Sequence, residues 1–320
     1  MSPADTRIVF FGNERLATGV TTIAPTLQAL IAAGYDVVAV VSHHTDSRSR
    51  KSRELEIAVV AGEHNIPLLL PAKPAEILAE LEALQADIGV LVAYGKIVPQ
   101  SVIDIFPRGI INIHPSLLPL HRGPIPIESV ILDGSTESGV SVMELARAMD
   151  AGPVYGQTRV SLSGSETKQE LADKLLAEGG SMVVDLLPGI LDGSRVPIPQ
   201  DDAAATYDNL IQKNDGLMDF HKPADQLERE VRAYSDWPKS WAKLHGPGGE
   251  MEVIITAAHA VPGNSPDGEP NDLDIVDSAG IMMIETSDGR LCVDRLKPAG
   301  KQEMTAQAFM AGYGKLLTSA

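Results

Sequence analysis

Short apolar runs rich in β-branched residues recur through the first half of the chain, at 7–11, 37–42, 66–70, 88–93 and 110–114, and stretches with helical spacing separate them near 21–33, 51–63, 74–85 and 99–105. Runs of that length suit strands buried on both faces. Their regular alternation with helices predicts a mostly parallel, Rossmann-like α/β sheet with helices on both sides. Further strands are expected at 139–145 and 154–162, followed by a long helix from about Thr167. Thr167-x-x-Glu170 fits a capping box, and Leu171, Leu175, Val183 and Leu186 then recur on one helical face as core positions.

From about 195 to 214 the pattern lapses into Val-Pro-Ile-Pro and Gln-Asp-Asp-Ala-Ala-Ala, a composition that reads as a linker. The chain therefore divides into a first domain at 1–195, a linker at 196–213 and a second domain at 214–320. The second domain reads as one helix at 223–233 and short strands at 241–244, 250–257, 273–276, 281–285 and 290–296, with 262–272 as a hairpin excursion. Short strands punctuated by Gly, Pro and Asp-Gly predict a small β-barrel. A chain of 320 residues, 44% of them hydrophobic, is long enough for two cores.

Charge narrows the choice of partners. With 26 basic and 43 acidic residues the net charge is −17, which disfavours non-specific binding to nucleic acid. Contact, however, depends on a local field screened over about 8–10 Å. Arg48, Arg50, Lys51 and Arg53 form one basic cluster, and Lys239, Lys243, Lys297 and Lys301 form a second set. The single cysteine, Cys292, alternates with apolar neighbours and is expected to be a buried thiol. No charged-then-apolar leader and no apolar stretch of about 18 residues occurs, so a cytoplasmic protein without membrane segments is expected; a monomer is a separate expectation. Neither G-x-G-x-x-G nor a P-loop is present, which argues against NAD and ATP. The histidines lack metal-ligand spacing, and His43-His44 are expected to be solvent-exposed rather than zinc ligands. No metal is expected.

One segment carries polar groups where an apolar strand should run. Asn112 and His114 lie two residues apart in the predicted strand 110–114, so their side chains share one face. Burying that pair is costly without partners. The following Pro-Ser-Leu-Leu-Pro and Arg122-Gly123 break the strand into a loop, and Asp150 follows in Ala-Met-Asp-Ala-Gly. Taken singly, an Asn or His in a strand is more often structural, and Asp-Ala-Gly an ordinary turn.

Together, Asn112-x-His114-x-Ser116-Leu117-Leu118-Pro119, Arg122-Gly123 and the downstream Asp150 resemble the signature of the 10-formyltetrahydrofolate-dependent formyltransferases. Val231-Arg-Ala-Tyr-Ser-Asp-Trp-Pro-Lys-Ser-Trp241, Leu296-Lys-Pro-Ala-Gly-Lys301 and Met304-Thr-Ala-Gln extend the likeness towards the branch acting on methionyl initiator tRNA. The resemblance implies a formyltransferase fold followed by an oligonucleotide-binding-like (OB-like) barrel that contacts tRNA. It implies that Asn112 donates to a developing oxyanion, that His114 stabilises it or protonates the leaving nitrogen, and that Asp150 orients His114 and helps deprotonate the amine. The proton roles of His114 and Asp150 stay open. Ser116, Leu117, Leu118 and Pro119 would form a folate loop, with Val92, Tyr94 and Gly95 lining the pterin pocket.

The same likeness assigns tRNA contacts to Arg48, Arg50, Lys51, Arg53, Lys239, Lys297 and Lys301. Arg122 would bind substrate phosphate or ribose, or else pair with a structural acid such as Glu128. The chain departs from the family pattern in the long polar turn after Gly12 and in His121, where Trp is common. Alternatives are a formyltransferase on a small amine (an amino-sugar nucleotide or glycinamide ribonucleotide), a 10-formyltetrahydrofolate hydrolase, and a non-catalytic RNA-binding protein.

Overall fold

In the computed structural model, seven of the apolar runs become strands of one sheet: β1 (Arg7–Gly12), β2 (Asp36–Val41), β3 (Leu68–Leu69), β4 (Ile88–Val92), β5 (Ile110–His114), β6 (Glu137–Glu144) and β7 (Val154–Ser161). The structure describes residues 2–12, 20, 22–43, 55–246, 249–263, 273–274 and 281–317. The sheet order is β3-β2-β1-β4-β5-β6-β7. The first five strands run parallel, and β6 and β7 are antiparallel additions. All residues of β4 and β5 are buried, as expected of strands covered on both faces.

Helices α1 (Pro25–Ala32), α2 (Glu56–Glu63), α3 (Leu78–Ala83) and α4 (Gln100–Ile103) fall within the predicted helical stretches, and α6 (Lys168–Asp192) starts directly after Thr167. A short helix, α5 (Pro126–Leu132), was not expected, because Gly-Pro-Ile-Pro at its start reads as loop. The order reverses between β1 and β4: the chain builds outward one way through β2 and β3, and the other way through β5 to β7. Such a switch point leaves a crevice at the carboxyl ends of the strands, where ligands of open α/β sheets bind.

The chain separates into two compact units, and the main division falls between Leu210 and Ile211; 128–135 and 163–168 group with the second. The second unit contains α7 (Ala224–Ala233), β8 (Ser240–Gly246), β9 (Gly249–Val261), β10 (Leu273–Asp274), β11 (Met282–Glu285), β12 (Arg290–Pro298), β13 (Met304–Thr305) and α8 (Ala306–Leu317). Its strands form an antiparallel sheet in the order β10-β11-β12-β9-β8, with β13 on β12, curled in a barrel-like manner. Register shifts between β12 and β9 at Val293, Arg295 and Leu296 supply local bends. Leu227, Val253, Ile255, Leu291, Leu296 and Phe309 are among its core side chains. Neither β13 nor α8 was anticipated.

Residues 196–210 do not run free as the linker composition suggested. Val154 and Ile198 exchange backbone hydrogen bonds at 2.8 and 2.9 Å, and Arg122 N–H and C=O bond Thr206 and Asp208 at 2.9 and 2.8 Å. A proline-rich segment cannot fill a ladder, but in extended form it still offers isolated amides and carbonyls to neighbours. Among the described residues, no helix is long and apolar enough to cross a membrane.

Candidate active site

Strand β5 places both predicted polar groups. Asn112 pairs with Leu91 on β4 and Met143 on β6, and His114 pairs with Ser141. The two side chains share a face and are 6% and 5% exposed. His114 Nε2 lies 2.9 Å from the carbonyl oxygen of His121. A carbonyl can only accept, so Nε2 carries the hydrogen and Nδ1 is left with the lone pair. That nitrogen faces Asp150 Oδ2 at 3.9 Å, too far for a direct hydrogen bond.

Asp150 is brought there by an unusual backbone. Its φ is 49°, and its Oδ2 accepts the Gly123 N–H at 2.9 Å. Gly152 lets the loop close: a Cβ there would lie 1.8 Å from the Glu144 carbonyl oxygen. His121 also has positive φ, 57°, and its N–H donates to Thr206 Oγ1 at 2.7 Å. His121 thus meets His114 through its carbonyl, and its ring is buried, 3.6 Å from Asp208.

The loop after β5 is tied down by its own Ser116 and by two residues that sequence reasoning missed, Ser141 and Gln157. Ser116 Oγ donates to Leu120 O at 2.7 Å. Ser141 Oγ donates to Ser116 O at 2.7 Å and accepts from Leu118 N at 3.1 Å, while Gln157 Nε2 donates to Leu118 O and to Ser141 Oγ. Leu117 lies against Gly139, where an added Cβ would come within 2.5 Å of Leu117 Cδ2. Pro119 is half-buried. Ser141→Ala would strand a buried amide and a carbonyl together, at a cost of about 1–3 kcal/mol. Urea unfolding reads this, and unchanged stability would mean that the loop is held by packing alone.

Other expectations need correction. The Arg122 guanidinium is 1% exposed and bonds Asp202 Oδ1 at 2.7 Å, Tyr207 Oη at 2.8 Å and Gln200 Oε1 at 2.9 and 3.1 Å. So enclosed, it is turned away from any phosphate or ribose; of the two readings the pair with a structural acid holds, with Asp202 in place of Glu128. Burial also removes the side chains of Val92 and Tyr94 from a pocket wall, at 0% and 1% exposed. Tyr94 packs edge-on to Phe11, and desolvation pushes its phenol up to about 12. What this loop can offer a ligand is backbone, turned by positive φ at Ala93 and at exposed Gly95. His43 is half-buried, with Nε2 2.8 Å from Tyr94 O, instead of solvent-exposed. Among the large apolar side chains that loops carry into solvent are Ile97 (90% exposed) after β4, Leu120 (42%) after β5 and Met149 (64%) after β6.

Arg48, Arg50, Lys51, Arg53 and His44, with the long turn after Gly12, lie outside the described residues. In the second unit, Lys297, Ile254 and Trp241 stand in register across β12, β9 and β8. That row faces away from the core, because the adjacent row of Leu296, Ile255 and Ser240 is buried. Lys297 and Lys301 are exposed, Lys239 is half-buried, and Lys243 pairs with Glu250 at 3.0 Å. Among the described residues, one trio of metal-type donors lies together, His259, Cys292 and Asp294. His259 and Asp294 form an exposed pair at 3.0 Å, and burial and the nearby Asp294 raise the pKa of the Cys292 thiol.

The formyl transferase family model matches residues 6–187, and that of the formyl transferase C-terminal domain matches residues 210–314. The methionyl-tRNA formyltransferase of Chloroflexus aurantiacus is 34% identical over 310 residues, 96% of each chain. That of Chloroflexus aggregans is 35% identical over 320 residues, 96% of this chain and 97% of the relative. Among solved structures, the N-formyltransferase of Helicobacter canadensis in complex with folinic acid and dTDP-3-aminofucose superposes with a TM-score of 0.67, at 17% identity, covering 93% of this chain and 99% of that one. At that identity the likeness is one of fold.

Proposed function

Because the chain belongs to the formyl transferase family, we propose that it transfers the formyl group of 10-formyltetrahydrofolate to the amino group of methionyl initiator tRNA, as a cytoplasmic monomer. The observation that carries this reading is the extent of the likeness. Relatives with that printed activity match 96% of the chain, so the match takes in the second unit as well as the site.

The geometry supports a division of labour. A new bond forms between the methionyl nitrogen and the formyl carbon, the bond from that carbon to N10 breaks, the amine loses a proton and N10 gains one. Asn112 donates its amide N–H to the formyl oxygen as negative charge develops there. His114 Nδ1, the ring atom left free by the bond to His121, and the Asp150 carboxylate face one gap from which a proton of the amine can be taken. 10-Formyltetrahydrofolate supplies the activated formyl carbon. Fit for a folate rests on Ile97 and Leu120, exposed apolar side chains on loops leaving neighbouring strands, and on the outward backbone at Ala93 and Gly95. Ser116, Leu117, Leu118 and Pro119 would hold it through the loop braced by Ser141.

The outer row of Lys297 and Trp241 suits nucleic acid, which such faces hold by phosphate neutralisation and stacking. Arg48, Arg50, Lys51 and Arg53 join Lys239, Lys297 and Lys301 as proposed tRNA contacts. Lys297→Glu with Lys301→Glu should raise KM for tRNA and flatten its salt dependence, with kcat kept; an unchanged salt slope would remove this face from the interface.

The deciding assay gives purified protein methionine-charged initiator tRNA and 10-formyltetrahydrofolate and measures formyl-methionine. Turnover supports the proposal. Absence of turnover, with formylation of an amino-sugar nucleotide or glycinamide ribonucleotide, overturns it in favour of a small-amine acceptor.

A further inference from the structure

We infer that Gln200, held from behind by Arg122, is a positioning residue for the transfer reaction: it fixes the 148–152 loop so that the Asp150 carboxylate faces His114. This rests on the function proposed above. A place for such a residue is visible in the backbone, since Asp150 occupies a left-handed conformation, φ 49°, which Asp tolerates better than most non-glycine residues but which leaves the carbonyls of the turn needing donors.

Gln200 supplies these with one amide. Its Nε2 donates to Asp150 O at 2.8 Å and to Gly152 O at 2.7 Å, so both carbonyls flanking Ala151 are held by one group. Its Oε1 accepts from Arg122 Nε at 3.1 Å and Nη2 at 2.9 Å. Only this orientation works, because turning the amide over would set its oxygen against two carbonyls and its NH2 against a guanidinium. Arg122 is itself fixed by Asp202 and by Tyr207, whose ring centroid lies 5.6 Å from the guanidinium carbon.

The neighbouring residue completes the grip. Gly123 N–H donates to the Asp150 carboxylate, while the backbone of Arg122 is bonded on both sides to 206–208. One short stretch, Arg122-Gly123, thus holds Asp150 from two directions: the carboxylate directly, and the backbone through Gln200. Gln200 lies in the segment that composition marked as linker, which is why it escaped notice as a site residue.

Two near-isosteric variants test this. Gln200→Met removes both polar ends, and Gln200→Glu keeps the volume and the Arg122 pair but turns an acceptor towards the two carbonyls. Both should lower kcat by about 10²-fold, the penalty of a misplacement on the order of 1 Å, with KM for either substrate little changed. In an Asp150→Asn background, Gln200→Met should add almost nothing, because its effect passes through Asp150. A purely structural residue would instead lower Tm and leave kcat per folded enzyme intact, and that result would overturn the inference. If Gln200→Met does not fold, Gln200→Glu gives the same reading.

A crystal structure of the Gln200→Met or Gln200→Glu variant supplies a readout independent of turnover. Asp150 released from Gly123 N is expected, and an unmoved loop overturns the inference even if the parent proves inactive. Parent inactivity on tRNA counts against the proposed function alone.

Discussion

His114→Ala and Asp150→Ala should each lower kcat for formyl transfer by about 10³-fold, within the range that a positioned acid or base contributes, and leave KM for tRNA nearly as it was. The reason is local. His114 is held by a bond from Nε2 to His121 O, so Nδ1 is the ring atom left to exchange a proton, and Asp150 Oδ2 faces it at 3.9 Å. Because the two groups face one gap, the double variant should lose little more than either single one. Asp150→Asn separates charge from shape: an amide oxygen can still accept from Gly123 N–H, but no carboxylate remains to take the amine's proton. Single-turnover kinetics with saturating tRNA would read this, and an Asp150→Asn rate equal to the parent's would reduce Asp150 to a structural acceptor.

Gly152→Ala should be severely damaging although it removes no functional group. The added Cβ would meet the Glu144 carbonyl oxygen at 1.8 Å and its carbon at 3.0 Å, and both belong to backbone at the end of β6 that cannot rotate away. The loop must therefore move, carrying Asp150 with it and pulling Gly152 O off Gln200. Overpacking of this kind costs about 1–3 kcal/mol, and the displaced carboxylate should cost about 10²-fold in kcat. Gly164→Ala is the matched control. Gly164, unlike Gly152, has positive φ, 86°, but an added Cβ there meets nothing within 4 Å, so the substitution strains one turn and should leave kcat alone. Equal kcat for Gly152→Ala and the parent would show that the loop has slack and that Asp150 is placed by Gly123 alone.

The difference between these two glycines illustrates what was legible in the chain. Both read as turn formers from sequence. Only the fold brings the Glu144 carbonyl under one of them and leaves solvent around the other. Arg122 is a similar case. From sequence, Arg122 reads as a contact for substrate phosphate or ribose or as the partner of a structural acid such as Glu128; the fold instead brings Asp202, Gln200 and Tyr207 onto it from a stretch some eighty residues on.

Periodicity did determine the layers, because runs such as 88–92 are too short for helices and too uniformly apolar for exposed strands. It also put Asn112 and His114 on one face, since alternation along a strand is a property of the backbone itself. The helices that were missed, α5 and α8, follow proline-rich or short polar stretches where local preference is weak, and packing of Ile127 or Phe309 into a core settles them.

What the sequence by itself determined is therefore what repeats at short range: strands, helices, the shared face of β5 and the motif on it. The tertiary structure alone decided which nitrogen of His114 is free, where Asp150 points, and that Gln200, Ser141 and Gln157 brace the site. Those are pairings between residues about 7 to 50 positions apart. Each is made by the closure of a loop whose partners leave no periodic trace in the chain, because a single hydrogen bond constrains two distant residues without constraining the pattern between them.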